Sequence, residues 1–109
     1  MSDEGKVTVQ GAIQALAGPW QPRDLATVKE AVVRVARADG AFPWHHHEQD
    51  ELFLCWDGVL RIEMEGREPV TLKAGELFVV PKGTEHRPVA ETVAHALLVE
   101  RIETRQYGD

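Results

Sequence analysis

Three consecutive histidines, His45-His46-His47, are the first residues in this chain able to do chemistry. On an extended segment side chains alternate faces, so His45 and His47 point one way and His46 the other. Two imidazoles two residues apart can then meet at one point, at a separation one metal ion can bridge. Glu51 follows six residues after His45. Along one straight strand that is ~20 Å. The polar trio Glu48-Gln49-Asp50 can turn the chain and bring Glu51 to the start of a neighbouring strand facing the same interior. Two imidazoles and a carboxylate form the ligand set of a non-haem facial triad. His86, after the turn Pro81-Lys82-Gly83, is a fourth candidate. Such an N3O1 set suits one divalent transition metal, Fe, Mn, Ni, Cu or Zn, with positions left open for water or substrate. The competing reading is a solvated histidine loop, and the spacing of Glu51 and His86 argues against it.

The elements that must position these groups read as β. Val28, Val32, Val33 and Val35 give β-branched density up to a turn at Asp39-Gly40. The apolar run Leu52 to Trp56 closes on Asp57-Gly58, a tight-hairpin signal. Leu60, Ile62 and Met64 alternate with Arg61, Glu63 and Glu65, a strand with one buried face. Val70 and Leu72, then Leu77 to Val80, then Val93 to Val99, continue the pattern. Before them, Ala12, Ile13, Leu16 and Ala17 recur at helical spacing until Gly18-Pro19. The expected fold is all-β: a small antiparallel barrel or double-stranded jelly roll of about eight short strands, with a short N-terminal helix outside it. The expected division is a helix and connecting segment over 1–23, a barrel over 24–103 and a polar, loosely held tail over 104–109.

The 109 residues suffice for one domain. A formal charge of −6 provides no basic footprint for nucleic acid or anionic membrane. No apolar run approaches the ~18 residues of a membrane span. No basic and apolar leader is visible, and Cys55 is the only cysteine, so a cytoplasmic protein without an intrachain disulfide is expected.

Both histidine segments resemble the signature motifs of the cupin superfamily, in the manner of small single-domain microbial cupins. The first motif is matched by Gly40, His45-His46-His47, Glu51 and Gly58, the second by Gly75, Pro81-Lys82-Gly83 and His86, with 16 residues between the two. Four residues, where the family more often has five, separate Gly40 from His45, and Ala90 stands where the family usually has an asparagine. Neither change touches a ligand position. The resemblance implies a metal held by His45, His47, Glu51 and His86, and a small-molecule substrate or ligand in the barrel mouth. It leaves two function classes open. One is a metal-dependent enzyme of dioxygenase, isomerase, lyase or cyclase type acting on a small oxygen-rich molecule. The other is a non-catalytic metal- or ligand-binding sensor. No catalytic residue beyond the ligands is assigned.

Phe53 and Cys55 share the parity of Glu51. Phe53 is a candidate pocket wall, and Cys55 a small buried hydrophobe. Arg37, interrupting an apolar strand, is a candidate partner for a substrate carboxylate, weighed against a simple rim charge. His95 reads as an ordinary strand histidine. Phe42, Trp44 and His46 share the outward parity, and an aromatic patch there is expected to be covered by the helix or a second subunit. A homodimer is the expectation the resemblance carries.

Overall fold

The protein is described by a computed structural model covering residues 3–109; Met1 and Ser2, which open the N-terminal segment, lie outside the described residues. One short helix precedes seven antiparallel strands. Helix α1 (Val9–Gln14) starts at Thr8, whose Oγ1 accepts a hydrogen bond from the Gly11 amide, and it buries Ile13 against the sheet. The strands are β1 (Arg23–Val28), β2 (Ala31–Ala41), β3 (Glu51–Asp57), β4 (Val59–Met64), β5 (Arg67–Lys73), β6 (Leu77–Val80) and β7 (His86–Arg101). No described helix is long and apolar enough to cross a membrane.

β7 joins the two halves of the fold. Its first residues, His86 to Val89, pair with β4, while Val89 to Arg101 pair with β2 and its later part also with β3. One layer therefore runs β1-β2-β7-β3-β6, and β4 with β5 forms the other. Between them lies the core: Leu60, Ile62 and Met64 of β4, Phe53 and Cys55 of β3, Leu72, Val80, and the alanines 38, 90, 94 and 96. Each fully buried Leu, Ile or Phe contributes about 1.5–3 kcal/mol. The parity expected for β3 and β4 holds. Glu51, Phe53 and Cys55 are buried, while Leu52 and Leu54 are half-buried and Trp56 is exposed.

Four expectations are corrected. The valine-rich stretch is two strands, because the chain turns at Lys29, which takes a left-handed φ of 53° without being glycine. Asp39-Gly40 is a bulge within β2, allowed by the φ of 80° at Gly40. Asp57-Gly58 makes no hairpin, since β3 pairs with β6 and β7 while β4 pairs with β5 and β7. It is the corner where the chain crosses between layers. The chain ends in one 16-residue strand, β7, so seven strands stand where about eight were expected.

Candidate metal centre

Beyond Ala41 the chain leaves the ladder. Residues 42–50 are not a strand, so the two-residue alternation does not govern them. Backbone hydrogen bonds position the histidines instead. His45 and His86 exchange two, from His45 N to His86 O at 3.0 Å and from His86 N to His45 O at 2.8 Å. The Gly83 amide donates to His47 O at 2.8 Å, and the Lys82 amide to Asp50 Oδ1 at 2.9 Å. The turn between β6 and β7 is thus tied to the histidine loop. Glu51 enters from the first position of β3, beside Val80.

His45, His47, Glu51 and His86 are all buried, and one ligand atom from each lies within 4.8 Å of the others. Glu51 Oε1 is 3.2 Å from His86 Nε2 and 3.5 Å from His47 Nε2. Two of the imidazoles are oriented by carbonyls: Nδ1 of His45 meets Pro43 O at 2.8 Å, and Nδ1 of His86 meets Thr84 O at 2.7 Å. Protonation at Nδ1 leaves Nε2 of each unprotonated, its lone pair free for the cluster. His47 has no hydrogen-bond partner at either ring nitrogen although it is almost fully buried. A buried imidazole with both nitrogens unserved costs stability unless something coordinates it. Three nitrogens and one carboxylate oxygen, converging in this way, fit a divalent transition metal. His46 turns outward and faces Glu85 and Glu48.

Burial sets the protonation of the cluster. It lowers the pKa of His45, His86 and His47, the last to about 4, with the neighbouring imidazoles adding to the effect at His47. All three are neutral at pH 7, the state a metal requires. Burial raises Glu51. An expected result follows for the metal-free protein. Between pH 6.5 and about 4 the unfolded chain accepts a proton at His47 that the folded chain refuses, so stability contributed here is lost as pH falls through that window. A His47→Gln variant should therefore lose less stability than the parent between pH 7 and 4, measured by denaturant titration. An equal or steeper loss would contradict it.

An open-mouthed cavity adjoins the cluster through His45 and Glu51. Phe53 lines it, with Ala36, Ala38, Leu60, Ala96 and Leu98. Arg34, Glu51 and Glu100 line it beside His45 as ionisable residues, and Trp20 and Gln106 stand at its wall. Arg34 is fully engaged. It donates to Asp24 Oδ1 (2.7 Å), Glu100 Oε1 (3.0 Å), Thr104 O (3.1 Å) and Ile102 O (3.0 Å). Burial and the adjacent Glu51 carboxyl push Glu100 up to about 8.

Arg37 does not line the cavity. Its side chain leaves the opposite face of β2, donating from Nε to His95 Nε2 (3.0 Å) and from Nη2 to Ile13 O (3.1 Å). His95 Nδ1 is in turn 2.8 Å from Asp57 Oδ1. This series of bonds fastens α1 and the β3–β4 corner to the sheet, and it lies outside the lining of the cavity. The parity of Ala36 and Ala38 points to Arg34 and excludes Arg37. That of Ala94, Ala96 and Leu98 points equally to Glu100. Cys55 is fully buried, its Sγ 3.4 Å from Asp57 O and Gly58 O, with its pKa raised by burial.

Phe42 is not part of an outward patch. It is buried against Trp20, His45 and Tyr107 of its own chain, while Trp44 stays exposed under Arg87. The tail packs on its own chain. Gln106 Nε2 donates to Trp20 O, Tyr107 stacks on Phe42 at 4.9 Å, and the Asp109 amide donates to His46 O.

The family profile described as "Cupin domain" matches residues 31–100. The uncharacterized protein YdbB of Bacillus subtilis (strain 168) is 41% identical over 64 residues, 58% of this chain and 57% of YdbB, so the match spans little more than half of that relative. A cupin-2 domain containing protein from Shewanella frigidimarina NCIMB 400 superposes with a TM-score of 0.85 at 30% identity, covering 89% of this chain and 95% of that one. Hydroquinone 1,2-dioxygenase from Sphingomonas sp. TTNP3, solved with 4-hydroxybenzoate bound, superposes at 0.72 with 24% identity over 88% of this chain and 72% of its own; that likeness is one of fold. On the profile match and the shared architecture, this chain belongs to the cupin domain family.

Proposed function

We propose that the chain binds one divalent transition metal through His45, His47, Glu51 and His86 and acts on a small molecule seated in the adjoining cavity. The observation that carries this is the burial of four convergent donors, one of them an imidazole with no other partner. The metal would supply Lewis acidity or dioxygen activation. The chain supplies the rest. Phe53, Leu60 and Leu98 exclude water and hold an apolar body, and the mouth beside His45 and Glu51 admits the oxygen atoms of the ligand to the metal. Because Arg34 is already paired with the Asp24 carboxylate and its other bonds go to Glu100 and two backbone carbonyls, the cavity favours a neutral molecule over a free anion. The fold likeness to hydroquinone 1,2-dioxygenase supports testing oxygen chemistry first. Protein purified without a chelating tag should consume oxygen with small phenolic substrates when loaded with Fe(II) and not when loaded with Zn(II). Equal rates with either metal would contradict metal-dependent oxygen chemistry. A slow, oxygen-independent conversion with zinc would support isomerase- or lyase-type action.

A homodimer is part of the proposal, through a surface other than the one Phe42 suggested. The register places Leu52 beside Val79 and Val99, and Leu54 beside Leu77 and Leu97, on the outer face of β3, β6 and β7. Leu77 is 55% and Val79 42% exposed, and a continuous aliphatic face of this kind fits a second copy. Light scattering should return about twice the 12.2 kDa chain mass. Leu77→Asp with Val79→Lys should return a folded monomer; a parent protein that is already monomeric at micromolar concentration would refute the dimer.

A further inference from the structure

The three histidines of the cluster differ in how they are held. His45 and His86 each have a backbone carbonyl at Nδ1, and His47 has none. What faces His47 Nδ1 is the side-chain carboxylate of Asp109, with Oδ1 at 3.8 Å. That separation is about 1 Å longer than a hydrogen bond.

Asp109 is held firmly for this position. Its Oδ2 accepts from the Glu48 amide at 2.9 Å and its Oδ1 from the Arg105 amide at 3.2 Å, while its own amide donates to His46 O at 3.1 Å. Those amides keep the carboxyl ionised by lowering its pKa. Before it, Gly108 passes so near the histidine loop that a Cβ there would lie 2.9 Å from His46 O and 3.3 Å from His45 Cβ. Tyr107, stacked on Phe42, anchors the strap from the other side.

We infer that Asp109 is a positioning residue for the centre, its carboxylate accepting a hydrogen bond from Nδ1–H of His47 so that the proton stays on Nδ1 and Nε2 is presented bare to a metal. The inference rests on the reading that the cluster holds a metal. Carboxylate partners of ligating histidines fix tautomer and ring orientation and raise ligand basicity, and losing one costs 10–100-fold in metal affinity. The strap 106–109 thereby becomes part of the site, supplying for His47 what Pro43 O and Thr84 O supply for His45 and His86.

The test has two readouts. Long-range proton–nitrogen NMR of metal-free protein should find His47 protonated at Nδ1 in the parent and redistributed toward Nε2 in Asp109→Ala, with His45 and His86 unchanged. Zinc affinity, measured by competition with a chromophoric chelator, should fall by about 10–100-fold in the same variant. Asp109→Asn is nearly isosteric, keeps an acceptor for the Glu48 amide, and should weaken zinc in the same direction if the alanine variant fails to fold. An unchanged His47 tautomer, or zinc affinity within about threefold of the parent, would overturn the role of Asp109. A parent that takes up no zinc would instead overturn the metal reading, while the tautomer comparison would still judge Asp109.

Discussion

His47→Ala is expected to leave a folded barrel that holds almost no metal. The nearest polar group to His47 Nδ1, the Asp109 carboxylate at 3.8 Å, keeps its bonds from the Glu48 and Arg105 amides when the ring is removed, so no other group is left unserved. Stability of the metal-free protein should change little, because the loss of packing is offset by relief of a buried, unserved polar ring. Metal affinity should fall by at least about 100-fold, beyond the range seen when only an outer partner of a ligand is lost. His86→Ala should lose metal as well. It should also destabilise the fold, since the His86 ring bonds Thr84 O and packs 4.4 Å from the His45 ring. His46→Ala is the control: its side chain faces Glu85 at the surface, and metal content should be unchanged. Metal analysis alongside thermal melts checks all three. Loss of metal from the His46 variant with retention in the His47 variant would mean the loop presents its other face.

The second large effect falls far from the metal. Gly58→Ala should destabilise the protein by about 3 kcal/mol or more, combining a left-handed backbone penalty with overpacking. Gly58 has φ 75°, and a Cβ there would lie 2.9 Å from Ala94 Cβ and 3.0 Å from both Ala94 Cα and Val93 O. Two of those three atoms are backbone, so no side chain can rotate away. Gly40→Ala is the comparison, with φ 80° and nothing within 4 Å of the added Cβ. It should cost only the conformational penalty, about 1–2 kcal/mol. At roughly 4–8 °C per kcal/mol for a domain of this size, the two melting temperatures should separate clearly. Equal losses would mean that the approach of β7 to the corner is looser than described.

These two sites mark what was legible in the sequence. The alternation of Leu60, Ile62 and Met64 was a reliable guide because β4 has one face on the core and one in water. Glu51, Phe53 and Cys55 followed by the same rule. Glycine at 58 was legible as a backbone requirement and misread as a hairpin. Asp-Gly signals a sharp reversal, and only the pairing of β7 with both layers reveals that the reversal leads to another sheet. The turn at Lys29 carries no glycine, proline or asparagine, so nothing local marks it; the pairing of β1 with β2 imposes it. The four donors were legible because their spacing resembles a known pair of motifs. The placement of His45 and His47 owes nothing to strand parity, since backbone bonds from His86 and Gly83 fix the loop. Parity could have preferred Arg34 to Arg37. The bulge at Gly40 shows where such counting stops, because Phe42 beyond it turns inward to Trp20 and Tyr107. The role of the tail was illegible, since it depends on contacts across more than 60 positions, such as Glu48 with Asp109.

The most direct test of the central claim is a crystal of tag-free protein loaded with one equivalent of Zn(II), with diffraction recorded on both sides of the zinc absorption edge. The account predicts one anomalous peak per chain, about 2.0–2.2 Å from Nε2 of His45, His47 and His86 and from a carboxylate oxygen of Glu51. A peak at another place, or none at these four residues in protein exposed to the metal, would contradict it.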